Sequence, residues 1–325
     1  MSLVMCSLCP NRCVLPEGER GKCRIRINLD NEIYTLTYGR PCAVHVDPIE
    51  KKPAYHFIPG SETFSIATAG CCLSCKYCQN WQISQANPED ASHYKLLPEA
   101  VIVSALRAKC KSIAYTYTEP TVFFEYMIDT ARFARKSGLG NVYVTCGFIN
   151  KKPLEELAEV LDSANVDLKG FNDDFYARIT GGQLKPVLQC IKYLYKKGVI
   201  VEVTNLIVPT LNDNMVEIKE MCTWLMNEVS PDVPVHFSRF SPHYKLKHLQ
   251  PTPISTLHEA WNVARSVGLH YVYIGNVSGR KGQDTVCPAC SNVVVGRIGY
   301  SVVSFNIKDT QCQFCGNKIY GRWKL

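Results

Sequence analysis

Cys71, Cys75 and Cys78 stand in C-x3-C-x2-C spacing within Gly70-Cys71-Cys72-Leu73-Ser74-Cys75-Lys76-Tyr77-Cys78. Three thiolates this close can hold three corners of a cubane [4Fe–4S] cluster, which ordinarily takes four Cys ligands. Three leave one iron open to an exchangeable ligand, as the open position of a catalytic zinc site does. A zinc ion with a distant fourth ligand is the competing reading of the spacing. Cys72 interrupts the pattern; a C-x2-C-x2-C set that includes it fits the end of the preceding strand less well.

Two further groups flank this triplet. Cys287-x2-Cys290 and Cys312-x2-Cys315-Gly316, 21 residues apart, read as the paired knuckles of a zinc ribbon, with the β-rich Val293–Phe305 as its hairpin. An auxiliary Fe–S cluster or rubredoxin-like iron is the alternative. Cys6-x2-Cys9-x3-Cys13-x9-Cys23 supplies four more thiolates in a Gly-rich segment. Too little core surrounds them to fold unaided, so a metal staple is expected. Soft thiolates suit zinc and an auxiliary [4Fe–4S] alike, and zinc is the reading taken. The remaining six of the 17 cysteines, Cys42, Cys72, Cys110, Cys146, Cys190 and Cys222, are expected to be small buried hydrophobes.

The elements that must position these groups follow from periodicity. Short strands are expected at Ile33–Tyr38 and Ala43–Val46 in the first segment. Strand-like runs at Phe64–Thr68, Ile113–Tyr117, Val142–Cys146, Val166–Leu168, Val199–Val208, Val235–Phe240 and His270–Ile274 then alternate with helix-like stretches. The latter are Pro98–Cys110, Pro120–Lys136, Pro153–Ser163, Leu184–Lys197, Met215–Val229 and Ile254–Val267. Alternation of this kind argues for a parallel sheet with right-handed crossovers. The fold class is α/β, a partial (β/α)6 TIM-like barrel or else an open doubly wound sheet, with the site beyond the carboxyl ends of the strands. Three regions are expected: a Cys-rich segment over 1–60, the barrel over 61–280 and a zinc-ribbon-like module over 281–325, with a linker at Gly275–Asp284.

Composition bounds the function. Of 325 residues 46% are apolar, which supports a sizeable core, yet no run approaches the roughly 18–20 apolar residues of a membrane span. The start lacks the apolar stretch of a signal peptide, so a cytoplasmic protein without a disulfide framework is expected. Net charge is +7 with the basic residues scattered, which speaks against nucleic acid and suits a small anionic substrate or an acidic protein partner. A zinc-binding regulatory or nucleic-acid module is the alternative to an enzyme. No Gly-x-Ser-x-Gly elbow, His-Glu-x-x-His helix or phosphate-binding glycine loop is present.

The triplet and its surroundings resemble the radical S-adenosylmethionine (SAM) superfamily. Tyr77 before the last Cys and Cys78-Gln-Asn-Trp-Gln-Ile-Ser84 are similar to the branch of pyruvate formate-lyase activating enzyme. The closer resemblance is to the radical SAM enzymes of the AmmeMemoRadiSam system. It extends through Asp47-Pro-Ile-Glu-Lys-Lys-Pro53 with His56-Phe57, Ala114-Tyr-Thr-Tyr-Thr-Glu-Pro120, Val166-Asp-Leu-Lys169, His236-Phe-Ser-Arg-Phe240 and both outer Cys groups. Cys72 stands where that family commonly has Asn. The resemblance implies a [4Fe–4S] cluster on Cys71, Cys75 and Cys78 with SAM chelating the open iron. It implies reductive SAM cleavage to a 5′-deoxyadenosyl radical and hydrogen abstraction, either as a glycyl-radical activase or on another substrate. A flavodoxin or ferredoxin as reductant, and the family's companion proteins as partners, are implied in the same way.

The resemblance also implies roles for residues at other strand ends. Tyr77 packs near the adenine. Glu119, in Tyr117-Thr118-Glu119 where the superfamily usually has Gly-Gly-Glu, accepts the SAM ammonium. Lys169 meets the carboxylate with Asp167 orienting it, and His236 lies near the ribose or adenine. From pattern alone, Glu119 is equally an acid in a first helical turn. Asp167 and Lys169, on one face opposite Leu168, are equally a structural ion pair, and His236 is equally a core histidine. Arg239, Gly147 and Asn205 are weaker candidates of the same kind. Glu50, Lys51, Lys52 and His56 read as a solvated charged face, although the resemblance makes them a substrate-facing cap.

Overall fold

The computed structural model describes residues 3–279 and 282–325. The central part of the expected linker, 280–281, lies outside the described residues, as does the first residue of the expected C-terminal module.

The main sheet has eight strands: β1 (Ala43–Pro48), β2 (Glu62–Ala67), β3 (Ser112–Tyr115), β4 (Gly140–Thr145), β5 (Ser163–Asp167), β6 (Ile200–Ile207), β7 (Val235–Arg239) and β8 (Val272–Gly275). β2 to β8 are all parallel and lie in sequence order; β1 pairs antiparallel with β2, Ala43 opposite Ala67, at one edge. The crossovers are α1 (Pro98–Arg107), α2 (Phe124–Lys136), α3 (Lys151–Ala158), α4 (Leu184–Lys196), α5 (Met215–Glu228) and α6 (Ile254–Val267). Because the strand order never reverses and crossovers share one hand, every helix falls on the same face. That is the barrel arrangement with six strand–helix units, and it excludes the doubly wound alternative. α3 starts two residues earlier than expected and stops at Ala158, because Ser163 already pairs into β5.

Strand residues alternate between the two faces. Ile113, Tyr143, Val166, Val203, Phe237 and Ile274 point into the helix-covered core. Ala114, Val142, Asn165, Glu202, His236 and Tyr273 occupy the other positions. This second face is filled by the segment before β2. Phe57 and Ile58 pack on Ala114 and Val142, and Asn165 donates to the Pro53 carbonyl at 2.8 Å. The expected solvated face is therefore corrected for Glu50, Lys52 and His56, which are 1%, 2% and 0% exposed, while Lys51 stays exposed. The segment is rich in charge because it carries ion pairs inside. Asp47 meets Lys51 and Lys52, each at 2.7 Å, and Glu50 faces Arg297.

The N-terminal segment forms a ribbon (Leu3–Met5 with Val14–Pro16) and a hairpin (Arg26–Leu29 with Glu32–Thr35). Its Cys6, Leu8, Cys9, Cys23 and Ile25 join the main core. The C-terminal tail is a three-stranded antiparallel sheet (Thr285–Val286, Val293–Ile298, Ser301–Phe305) followed by Ile307–Lys308 paired with Gln311–Cys312. Its Val294, Val295, Ile319 and Trp323 pack on Tyr55, Tyr271 and Tyr273, so the tail closes the inner face from below.

His56 sits where the tail meets this face. Its ring bonds the Tyr273 hydroxyl at 2.7 Å, and its backbone N–H donates to Glu202 at 2.7 Å. Burial lowers its pKa from 6.5 to about 4, against the pull of Glu202. A histidine kept neutral in the fold but free to protonate when unfolded gives stability that is complete above pH 6.5. That stability is lost as pH falls toward 4, at about 1.4 kcal/mol per pKa unit. Wild type is expected to lose about 3 kcal/mol more than His56→Gln across that window, read as the pH dependence of the urea midpoint.

Candidate active site at the carboxyl ends of the strands

β2 ends at Ala67, and the chain turns at Gly70 into the cysteine loop. Gly70 has φ +94°, and a Cβ there would lie 2.6 Å from the Cys23 carbonyl oxygen. Both the left-handed backbone and the close approach require glycine. The loop beyond is pinned by Ser74 N–H to Thr180 O at 2.8 Å and Lys76 N–H to Ile179 O at 3.0 Å.

Cys71, Cys75 and Cys78 line a cavity of about 550 Å³ at the strand ends, within the size range of ligand sites. Tyr77, Glu119, Asp167 and Lys169 line the same cavity. Cys72 does not: its thiol is fully buried on the other side of the loop, 3.9 Å from the Phe148 carbonyl. Burial pushes the Cys75 thiol up to about 12 and raises Cys78 as well, the latter against a 3.3 Å contact with the Ser84 hydroxyl. Thiols this reluctant to ionise are poor free nucleophiles; they become thiolates when a cation takes the proton's place.

Glu119 is buried and caps the 3₁₀ turn Pro120–Phe123, accepting from Thr121 N–H at 3.1 Å. It also accepts from the Thr145 hydroxyl and the Cys146 N–H, each at 2.7 Å. The expected first-turn role and a cavity-facing role thus coincide in one side chain. Among the described residues no cation pairs with it, so a buried carboxylate ringed by neutral donors faces the cavity. Tyr117, two residues earlier, has φ +63°. This is the left-handed region where glycine is at ease, which accounts for glycine in the superfamily's pattern. Here the tyrosine is held by Asp47 at its hydroxyl, by the Lys52 ammonium 4.3 Å from its ring centre, and by Asn80 Nδ2 on its carbonyl at 2.7 Å.

Lys169 Nζ lies 2.9 Å from Asp167 and 6.0 Å from the centre of the Tyr77 ring. Burial opposes its charge, but Asp167 and the nearby Cys75 thiol hold its pKa above the ordinary value. Tyr77 is buried against Phe175, and its hydroxyl has no protein partner.

His236 is placed elsewhere. It shares the inner face with Ser238, which lines the cavity, but sits one layer deeper, 2.7 Å from Glu202 and stacked on Tyr273. In the structure His236 forms a buried His–Glu pair, and the inward residue nearest the end of β7 is Ser238. Arg239 donates to the Thr252 carbonyl, and Asn205 donates to the Leu168 carbonyl. Glu50 and His56 turn inward, whereas Lys51, Lys52 and Pro53 reach the cavity wall. Sequence reasoning missed Thr204, Ser238, Asn276 and Tyr300, which also line it. The first two could have been found by counting alternate residues toward each strand end. Tyr300 comes from the turn between the last two strands of the tail's sheet and carried no such signal.

The outer cysteines are arranged in two ways. The sulfurs of Cys287, Cys290, Cys312 and Cys315 all lie within 4.8 Å of one another, with Cys287–Cys315 at 3.6 Å and Cys290–Cys312 at 3.7 Å. Four thiolates around one tetrahedral ion with metal–sulfur bonds of about 2.3 Å are about 3.8 Å apart, so this set can bind a metal ion. Cys6, Cys9, Cys13 and Cys23 instead line an enclosed space beneath the cysteine loop.

The strand-end cavity, with its cysteine wall, belongs to a parallel α/β protein. The profile of the Radical SAM superfamily matches residues 65–225. The uncharacterized protein MJ0808 of Methanocaldococcus jannaschii is 44% identical over 318 residues, covering 97% of this chain and 95% of that protein. Pyruvate formate-lyase 1-activating enzyme of Escherichia coli is 27% identical over 151 residues, 45% of this chain and 61% of the enzyme. The chain thus spans about three-fifths of that enzyme's length. Among solved structures, a radical SAM methyltransferase from Sphaerobacter thermophilus superposes with a TM-score of 0.52 at 14% identity, covering 70% of this chain and 71% of that one, a likeness of fold. The chain belongs to the radical SAM superfamily and is similar to its pyruvate formate-lyase activating branch. Members of the superfamily are enzymes, and so is this protein. No helix among the described residues is long and apolar enough to cross a membrane.

Proposed function

We propose that this protein binds a [4Fe–4S] cluster through Cys71, Cys75 and Cys78 and cleaves SAM reductively. The observation that carries the reading is the shared cavity. Three thiols on one wall face a buried carboxylate, without a cation among the described residues, and an ammonium–carboxylate pair at neighbouring strand ends. When bound, the cluster would supply one electron to the SAM sulfonium and so release a 5′-deoxyadenosyl radical for hydrogen abstraction. The chain's own groups divide the remaining work. Glu119 accepts the SAM ammonium, its lone pairs oriented by Thr121, Thr145 and Cys146. Lys169, steadied by Asp167, meets the carboxylate. Tyr77 supplies an aromatic wall with a free hydroxyl for the nucleoside. The buried walls limit water around the reacting atoms.

Resemblance to the pyruvate formate-lyase activating enzymes supports a one-electron donor of the flavodoxin or ferredoxin class and a protein substrate, such as a glycyl-radical protein or a companion protein. The C-terminal knuckles hold zinc in this reading, on the tetrahedral sulfur spacing. The test is mass spectrometry of 5′-deoxyadenosine made from SAM by anaerobically reconstituted, dithionite-reduced protein. Formation above a protein-free control is expected; none would overturn the reading.

A further inference from the structure

The cavity reading leaves the four N-terminal cysteines without a task. Cys6, Cys9, Cys13 and Cys23 enclose a space that Arg26 also lines. Arg26 is 6% exposed and gives its two terminal nitrogens to Glu125 at 2.7 and 2.8 Å. Its remaining N–H, on Nε, has no protein partner. A buried donor left unmade destabilises the fold by about 1–3 kcal/mol. Four thiolates around a metal centre carry net negative charge, and their sulfurs accept hydrogen bonds from such donors. The orphan N–H beside Cys6 and Cys23 is thus the mark of an anionic centre inside the cage.

The position of the cage says what kind of centre it is. The cage lies directly against the central cysteine loop. Two joints clamp the cage to the central loop, and a third ties it to Asn150 at the head of α3. Asn11 Nδ2 donates to the Cys72 carbonyl at 2.7 Å; the Cys23 carbonyl abuts Gly70; and Asn150 Nδ2 holds the Ser7 and Cys9 carbonyls at 2.7 and 2.9 Å. On the opposite side, half-buried Cys13 accepts from the backbone N–H of exposed Lys22 at 3.4 Å, which brings the cage to the protein surface. A structural zinc ion is redox-inert and gains nothing from lying between the protein surface and the central cysteine loop.

We propose that Cys6, Cys9, Cys13 and Cys23 hold a second iron–sulfur cluster, ligated entirely by protein, which passes single electrons across the adjoining central loop to the cluster at Cys71, Cys75 and Cys78. A one-electron donor protein of the flavodoxin or ferredoxin class is oxidised by one electron, the N-terminal cluster is reduced and reoxidised, and the central cluster is reduced by the same electron. No bond is made or broken and no proton is required. The relay rests on the function proposed above; the second cluster itself does not.

The experiment uses the full chain, reconstituted anaerobically. The triple variant Cys71→Ala/Cys75→Ala/Cys78→Ala is expected to keep about four iron and four sulfide per chain. It is also expected to show a paramagnetic signal on reduction, which adding Cys13→Ser and Cys23→Ser removes. With the central triplet intact, the Cys13→Ser/Cys23→Ser variant is expected to keep its central iron but to be reduced by flavodoxin at least ten-fold more slowly than wild type, in stopped-flow absorbance. Zinc and no iron in the triple variant would overturn the second cluster, and iron there with an unchanged flavodoxin rate would overturn the relay. Wild type holding no more iron than the triple variant would instead sink the central-cluster reading and leave the N-terminal cluster standing.

Discussion

Cys75→Ala is expected to remove one cluster's worth of iron from the reconstituted protein and to bring 5′-deoxyadenosine formation down to the protein-free level. Cys72→Asn is expected to leave that iron in place. The two thiols lie three residues apart on one loop, and the difference is one of direction. Cys75 lines the cavity, whereas Cys72 points away from it toward Phe148, Cys9 and Cys146. A cluster missing one of three protein ligands has two corners open and is lost or degraded, so the effect on product is close to complete. Iron and sulfide counts on the two variants, with Cys71→Ala as a third, check the assignment. Iron retained in Cys71→Ala but lost in Cys72→Asn would move the ligand set to Cys72, Cys75 and Cys78.

Much of this arrangement was legible because its signals are local. The strand–helix alternation gave the barrel, and α6 ends where periodicity placed it. Cys-x2-Cys spacings announced the knuckles, and the alternation of Asp167 and Lys169 placed both on one face. What sequence could not show is what meets across the fold. Glu50, Lys51, Lys52 and His56 look like a solvated run because charge in sequence is ordinarily at the surface. Here Lys52 is buried on Asp47, while Glu50 and His56 meet partners distant in the chain: Glu50 finds Arg297, and His56 finds Glu202 and Tyr273. The pairing of His236 with Glu202 was hidden for a related reason. A strand's polar residue counts as a site residue only if it is the last inward one, and the strand end cannot be fixed to within two residues from pattern alone. Likewise the approach of the Cys23 carbonyl to Gly70 joins segments far apart in the chain.

Glu119→Gln is expected to weaken SAM binding by about 100-fold or more while leaving the central iron unchanged. The carboxylate accepts from Thr121, Thr145 and the Cys146 N–H, and it has no cation among the described residues. Those donors hold it in place. An amide of the same shape brings an NH₂ group against at least one donor and removes the negative charge that would meet an ammonium. Losing one partner of a buried, hydrogen-bonded charge pair costs about 2–5 kcal/mol of binding, which sets the size of the effect. Thr145→Val is the control: it deletes one donor to Glu119 without removing the charge and is expected to cost about 1 kcal/mol, or roughly five-fold. Equilibrium binding of SAM to the anaerobically reconstituted proteins reads both. Equal affinity in wild type and Glu119→Gln would mean that the carboxylate serves only the turn it caps, and that the SAM ammonium is held elsewhere in the cavity.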